Sequence, residues 1–279
     1  MSAVADAITG LTIAGKKLSA DVSEIVLDVT RTIIAGQVSE LTIVLHDPDL
    51  AVFNGPIGTA DAPVVFDGGT YGVAGREVDR AAGAVTVHAS SVLARALRKK
   101  VKVSAEKKVS AVDWTRGRVR AHGGKLVTVS PASKKSVISQ GKGQSELDII
   151  AGFGGDLDWL WAEWDGTVYL GTGMDWYTKG PGKTWSVTWQ TESPTDAFDV
   201  KGGMTPDDKD NAGEITVSYP YEGGKKIRPF DRLRLSGHGI LDGDWLTTDT
   251  TTKFDGSSPV DVKAIIPRKA RPKKNSRKG

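Results

Sequence analysis

The apolar positions of the chain follow two periods. Through 24–33 (EIVLDVTRTI), 39–47 (SELTIVLHD), 62–68 (APVVFDG) and 84–90 (AVTVHAS) they alternate with polar ones, and Val, Ile and Thr dominate. Period two puts apolar side chains on one face of a strand, so this part predicts an antiparallel β module of barrel or sandwich type. The period changes at SSVLARALRKKVKV. Val92, Leu93 and Leu97 fall on one helical face, Ser90 or Ser91 stands at the N-cap, and basic residues fill the last turn. A short helix is expected to close the first module.

Two further helices are announced by their caps. Ser110 has Asp113 three residues on, and Ser145 has Asp148 three residues on. Each Ser can accept from the N–H three residues ahead, and each Asp sits near the positive helix end. Each segment runs into a Gly pair, Gly123-Gly124 or Gly154-Gly155, and then into an apolar strand, 125–129 or 160–164. This predicts two helix–turn–strand units, which a duplication would explain. Asp165-Gly166 suits a two-residue type I′ turn and fixes a hairpin register: Trp164 opposite Thr167, Glu163 opposite Val168, Ala162 opposite Tyr169, Trp161 opposite Leu170. One face then carries Trp159, Trp161, Val168 and Leu170, the other Leu160, Ala162, Trp164 and Tyr169. Both are apolar, so one is expected on the helices and the other against a second layer or another chain. Strands resume at 183–191, 213–221, 231–239, 244–254 and 259–267, with 193–213 expected as a long polar loop.

The fold class expected is mainly β with a small α/β centre, two small β-barrel modules joined by a helix-strand segment. The boundaries are 1–105, 106–182, 183–266 and a flexible basic tail at 267–279. The tail holds Arg268, Lys269, Arg271, Lys273, Lys274, Arg277 and Lys278 and no acid, so the net charge of +3 over 279 residues conceals a body of about −4. Such an arm is either a solubilising end or an electrostatic tether to an acidic partner or nucleic acid. No cysteine is present, which excludes disulfides, thiolate metal sites and Cys nucleophiles. The first residues have no basic group ahead of their apolar stretch, and no run reaches the ~18 apolar residues of a membrane span. A soluble chain made in a cytoplasm, without membrane insertion, is expected.

Three stretches carry a family resemblance: VSAVDWTRGRVRAHGGKLVTV with GQSELDIIAGFGGDLDWLWAEWDGTVYLGT, then IRPFDRLRLSGHGILDGDWLTTDTTTKF, then PVDVKAIIPRKARP. Over roughly 85–267 the chain resembles the tail-hub (baseplate-hub) proteins of bacteriophages and related contractile injection machines, the late-control protein D-like minor tail proteins among them. The resemblance implies two β-barrel modules around an α/β part and a homotrimer whose barrels ring the tail tube. It implies a structural role, no enzymatic activity and no cofactor. The implied partners are the tail tube or distal tail protein, the tip or spike protein and the tape measure protein, with DNA passing transiently. The implied location is the virion, at the tail tip or baseplate.

The candidate chemistry is sparse. His238 with Asp242 and Asp244 matches no zinc spacing, and turns collect Asp and Gly anyway. No G-x-S-x-G elbow accompanies any of His46, His88, His122 or His238. Glu163 and Asp165 would have to flank one glycosidic bond, which near neighbours on a hairpin do not. The run 207–214 lacks calcium-loop spacing. No catalytic, cofactor or metal residue is assigned. The interaction candidates are Trp164 and Tyr169 on the second hairpin face, with Arg268, Lys269, Arg271, Lys273 and Lys274 in the arm. The other function class is a Trp-rich carbohydrate-binding β module, in which Trp159 and Trp161 would form a stacking platform.

Overall fold

The computed structural model describes residues 8, 10–17, 25–55, 59–99, 104–130, 136–157, 159–188, 197, 199–204 and 211–268. The N-terminal strands are β1 (Thr12–Ile13), β2 (Lys16–Lys17), β3 (Val26–Ile34), β4 (Glu40–His46), β5 (Pro63–Phe66), β6 (Gly69–Asp79) and β7 (Ala84–Ser91), with helices α1 (Ala51–Asn54) and α2 (Val92–Leu97). The centre holds β8 (Ser104–Val109), α3 (Ala111–Ala121), β9 (Lys125–Thr128), β10 (Ser136–Gln140), α4 (Glu146–Leu157), β11 (Trp159–Trp164), β12 (Thr167–Thr172) and α5 (Gly173–Lys179). The last part holds β13 (Thr184–Thr188), β14 (Asp199–Met204), β15 (Asn211–Tyr219), α6 (Tyr221–Gly224), β16 (Arg232–Ser236), β17 (Gly243–Lys253) and β18 (Val260–Pro267).

The strands from both ends form one 13-stranded sheet in the order β14-β15-β18-β17-β3-β4-β7-β6-β5-β1-β2, with β16 beside β17 and β13 parallel to β16. The fold is mainly β with a small α/β centre, as expected, and the strands of the two expected barrel modules share this one sheet, which is not closed into a barrel. The reason is β17, whose first residues pair with β16 and whose last five pair with β3, Asp249 opposite Ile34 and Lys253 opposite Thr30. One hydrophobic cluster runs through both ends, from Val29, Ile43 and Val87 to Val217, Trp245 and Val262.

The centre follows its caps. Asp113 N–H donates to Ser110 Oγ at 3.1 Å, and Asp148 N–H donates to Ser145 Oγ at 3.1 Å while Ser145 N–H returns to Asp148 Oδ2 at 2.8 Å. After α3 the chain turns through Gly123 at φ +75°, a conformation glycine adopts without strain, and Gly124 N–H closes on Val119 O at 2.9 Å. Ser91 is the cap of α2, its Oγ accepting from Ala94 N–H at 3.3 Å. Several expectations are corrected. Val92 is exposed and the buried face of α2 is Leu93, Ala94 and Leu97. Gly154 lies inside α4, which continues to Leu157. The stretch 193–213 contains β14, held to β15 by a full antiparallel ladder. Strand β6, helix α5 and the two-stranded ribbon β8–β10 are not announced by the sequence pattern. The expected boundary at 105/106 falls within β8.

Candidate functional site

Asp165 and Gly166 have φ of 50° and 70°, as a type I′ turn requires. The observed register of β11 and β12 is the one the turn predicts, Trp164 opposite Thr167 through Trp161 opposite Leu170. Each hairpin face has its own core. Trp159, Trp161, Val168 and Leu170 pack with the helices, including Trp114 and Phe153. Trp164 and Ala162, with Leu160 and Tyr169, meet Ile33, Leu246 and Ile265 of the large sheet, together with Trp176 and Phe230. The second layer is thus this chain's own sheet.

Trp164 and Tyr169 stack at 3.6 Å between centroids, and Trp176 stacks on Phe230 at 4.6 Å, with Tyr169 reaching Trp176 at 6.2 Å. Trp164 is only 6% exposed. As an interaction candidate it is corrected: its ring is consumed inside the chain, and Tyr169 keeps only a partly exposed edge. Trp159 and Trp161 are also buried, so neither offers a flat face to a sugar. A cleft of about 490 Å³ between the β3–β4 turn and α4 exposes only Trp161's margin, beside Val38, Leu147, Arg98 and Asp148.

The hairpin is zipped to the sheet by backbone. Gly36 N–H donates to Trp161 O at 2.5 Å, Ser39 N–H to Glu163 O at 2.8 Å, and Glu163 N–H to Gln37 O at 3.3 Å. Glu163 is fully buried, and its Oε1 accepts from Ser91 Oγ at 2.6 Å. Burial pushes its carboxyl up to about 7, against the lowering pull of Ser91 and the Gly166 N–H.

Beside it two Asp-Gly turns meet. Asp67, at φ 48°, and Asp165 lie near Arg31 and Arg228. Arg31 is 2% exposed, donates to Asp67 Oδ2 at 2.6 Å, and lies 5.1 Å over the Phe254 ring. Burial raises Asp165 despite both arginines, lowers Arg228, and pushes Tyr71 up to about 12. Asp231 is raised by burial and accepts from Trp185 Nε1 at 2.9 Å and from the N–H groups of Lys183 and Arg228. These groups join hairpin, large sheet and the loop before β16. A buried carboxyl titrating near neutrality suits acid catalysis, but Glu163 is sealed from any substrate. Its surroundings make it a joint.

The remaining candidates are dispersed. Asp244 is paired with Arg234 at 2.7 Å, and Asp242 accepts from His238 N–H at 2.6 Å, so the turn uses both carboxylates. Among the described residues no group of three His, Asp or Glu could hold a metal ion, and no helix is long and apolar enough to cross a membrane. Arg268 follows β18 directly. Lys269, Arg271, Lys273 and Lys274 lie outside the described residues, as does 207–210, while 211–214 opens β15. The residues of the polar joint, Arg31, Asp67, Arg228 and Asp231, were missed by sequence reasoning. The repeated Asp-Gly pairs were the one available signal, and they do not reveal that two turns touch.

No family model matches the chain, and no curated protein matches its sequence. Solved structures do match its shape. The 43 kDa tail protein of prophage MuSo2 from Shewanella oneidensis has a TM-score of 0.66 at 10% identity, covering 92% of this chain and 96% of that one. The tail protein from Neisseria meningitidis MC58 has a TM-score of 0.64 at 10% identity, covering 91% and 95%. The Escherichia coli c3393 protein, described as a type VI secretion component similar to the T4 bacteriophage tail proteins gp27 and gp5, has 0.63 at 10%, covering 94% and 79%. At this identity the likeness is one of architecture: the chain has the fold of these tail and secretion-system proteins.

Proposed function

We propose that the chain is a structural phage tail protein, a homotrimeric hub that connects the tail tube to the tail tip or baseplate spike. One observation carries the reading: the fold match covers more than nine-tenths of this chain and of two proteins described as tail proteins. The interior agrees with a scaffold. The clustered aromatics Trp164, Tyr169, Trp176 and Phe230 and the buried carboxyl of Glu163 join layers to each other. In this reading the tube or distal tail protein, the tip or spike protein and the tape measure protein are neighbours, and the arm from Arg268 through Lys269, Arg271, Lys273 and Lys274 tethers an acidic tail partner. DNA passes the ring during ejection. Light scattering of the purified protein, alone and with a tail partner, tests it. The expected mass is three times 29.6 kDa. A chain that stays monomeric in both conditions overturns the hub.

A further inference from the structure

Charge is segregated along this chain far beyond the basic arm. Residues 95–142 carry 14 Lys and Arg against 2 Asp and Glu, a net of +12. Residues 1–94 and 143–267 carry 16 against 32, a net of −16. Among the described residues this block holds the end of α2, the β8–β10 ribbon, α3 and β9.

Several of its described cations face solvent. Arg98, Lys99, Lys107, Lys108, Arg120 and Lys142 are exposed and form no ion pair among the described residues. Lys107 and Lys108 sit on β8, and Arg120 on the solvent side of α3. The two elements are neighbours, since Arg118 of α3 pairs with Glu106 of β8. Among the described residues neither outer edge of the ribbon has a strand neighbour, and Val137 at its bulge is 59% exposed. A two-stranded ribbon is marginal in water unless covered. An apolar spot within a charged rim is the anatomy of a protein contact.

We propose that this basic face docks on the acidic β body of a second copy of the chain. The occupant follows from charge complementarity: the same sequence supplies both signs, and exposed Asp49, Glu77, Asp79, Glu214 and Asp261 lie on the body. A polyanion would be repelled by that body as it approached the basic face. Contact between unlike surfaces of identical chains is head-to-tail, and it closes into a ring when each step turns by about a third of a circle, as the homotrimer reading requires. The inference rests on the homotrimer reading and adds which surfaces meet.

Three measurements test it. The triple variant Lys107→Glu, Lys108→Glu, Arg120→Glu should keep the wild-type circular dichroism spectrum and drop threefold in mass. Wild-type protein should lose the same mass when salt is raised to about 1 M, where screening reaches ~3 Å. Carbodiimide coupling in a mixture of isotope-labelled and unlabelled chains should join Lys107 or Lys108 to a carboxylate of 1–94 or 143–267 on another copy. If the triple variant misfolds, the salt and coupling results decide. A trimer indifferent to salt, with no such link, overturns the docking face and leaves the hub intact. A monomer under all conditions removes both. A trimer that binds duplex DNA through these residues overturns the inference in favour of a nucleic-acid surface.

Discussion

Replacing Glu163 by Gln removes one titration and little volume. The carboxyl is fully buried and its pKa stands at about 7, against an ordinary 4.5. Between those values the folded chain keeps a proton that the unfolded chain has released. Stability is therefore fully present below 4.5, falls as pH rises, and is lost above 7. The gap at about 1.4 kcal/mol per pH unit amounts to roughly 3 kcal/mol, an upper figure because the joint can relax. Gln keeps an acceptor for Ser91 Oγ and cannot ionise. Glu163→Gln should match the wild type within ~1 kcal/mol near about pH 5 and exceed it by up to about 3 kcal/mol near about pH 8.5. Urea unfolding at the two pH values reads the difference. The raised acids Asp165, Asp231 and Asp249 are present in both proteins and largely cancel. A stability difference that is the same at both pH values would refute the reasoning, since a merely steric effect does not titrate.

Trp161 is 5% exposed against the helices, so Trp161→Ala should lose about 3–5 kcal/mol and melt much lower; unchanged melting would return its ring to the surface. Ser145→Ala deletes the cap of α4 and should lose about 1 kcal/mol in chemical unfolding, a loss that Ser145→Asp restores. At Gly182 an added Cβ would sit 2.2 Å from Phe230 O and 2.9 Å from Asp231 Cα, both backbone. Gly182→Ala should thus lower the melting temperature, whereas alanine at Gly152, where nothing lies within 4 Å, should not.

Local features were legible and distant pairings were not. The Asp165-Gly166 turn dictates its register through two φ values, and Ser110 and Ser145 name the helix starts through bonds three residues long. Strand β6 was invisible because GTYGVAGREVD spreads three glycines through its alternation. Strand β14 was read as loop for a similar reason, since DVKGGM gains its order from the β15 ladder. Gly154 misled in the opposite sense, as its helix is held by packing under Trp159 and Trp161 rather than by propensity. The joint of Arg31, Asp67, Asp165 and Arg228 depends on four segments meeting, and no spacing in the chain encodes that.

Strand β17 joins two ends of the sequence, since Ile34 pairs with Asp249. During synthesis the free edge of β3 must therefore wait while more than two hundred further residues leave the ribosome. Contacts of such long sequence separation form slowly. Over that interval β3 offers an open backbone template, and Asp28, Thr30 and Thr32 on its less buried face, with Arg31 on the other, are the polar interruptions of VLDVTRTII. A ribosome that stalls before β17 releases a fragment with this edge uncovered, prone to pairing with other nascent chains, so the timing of translation becomes part of the assembly of this fold.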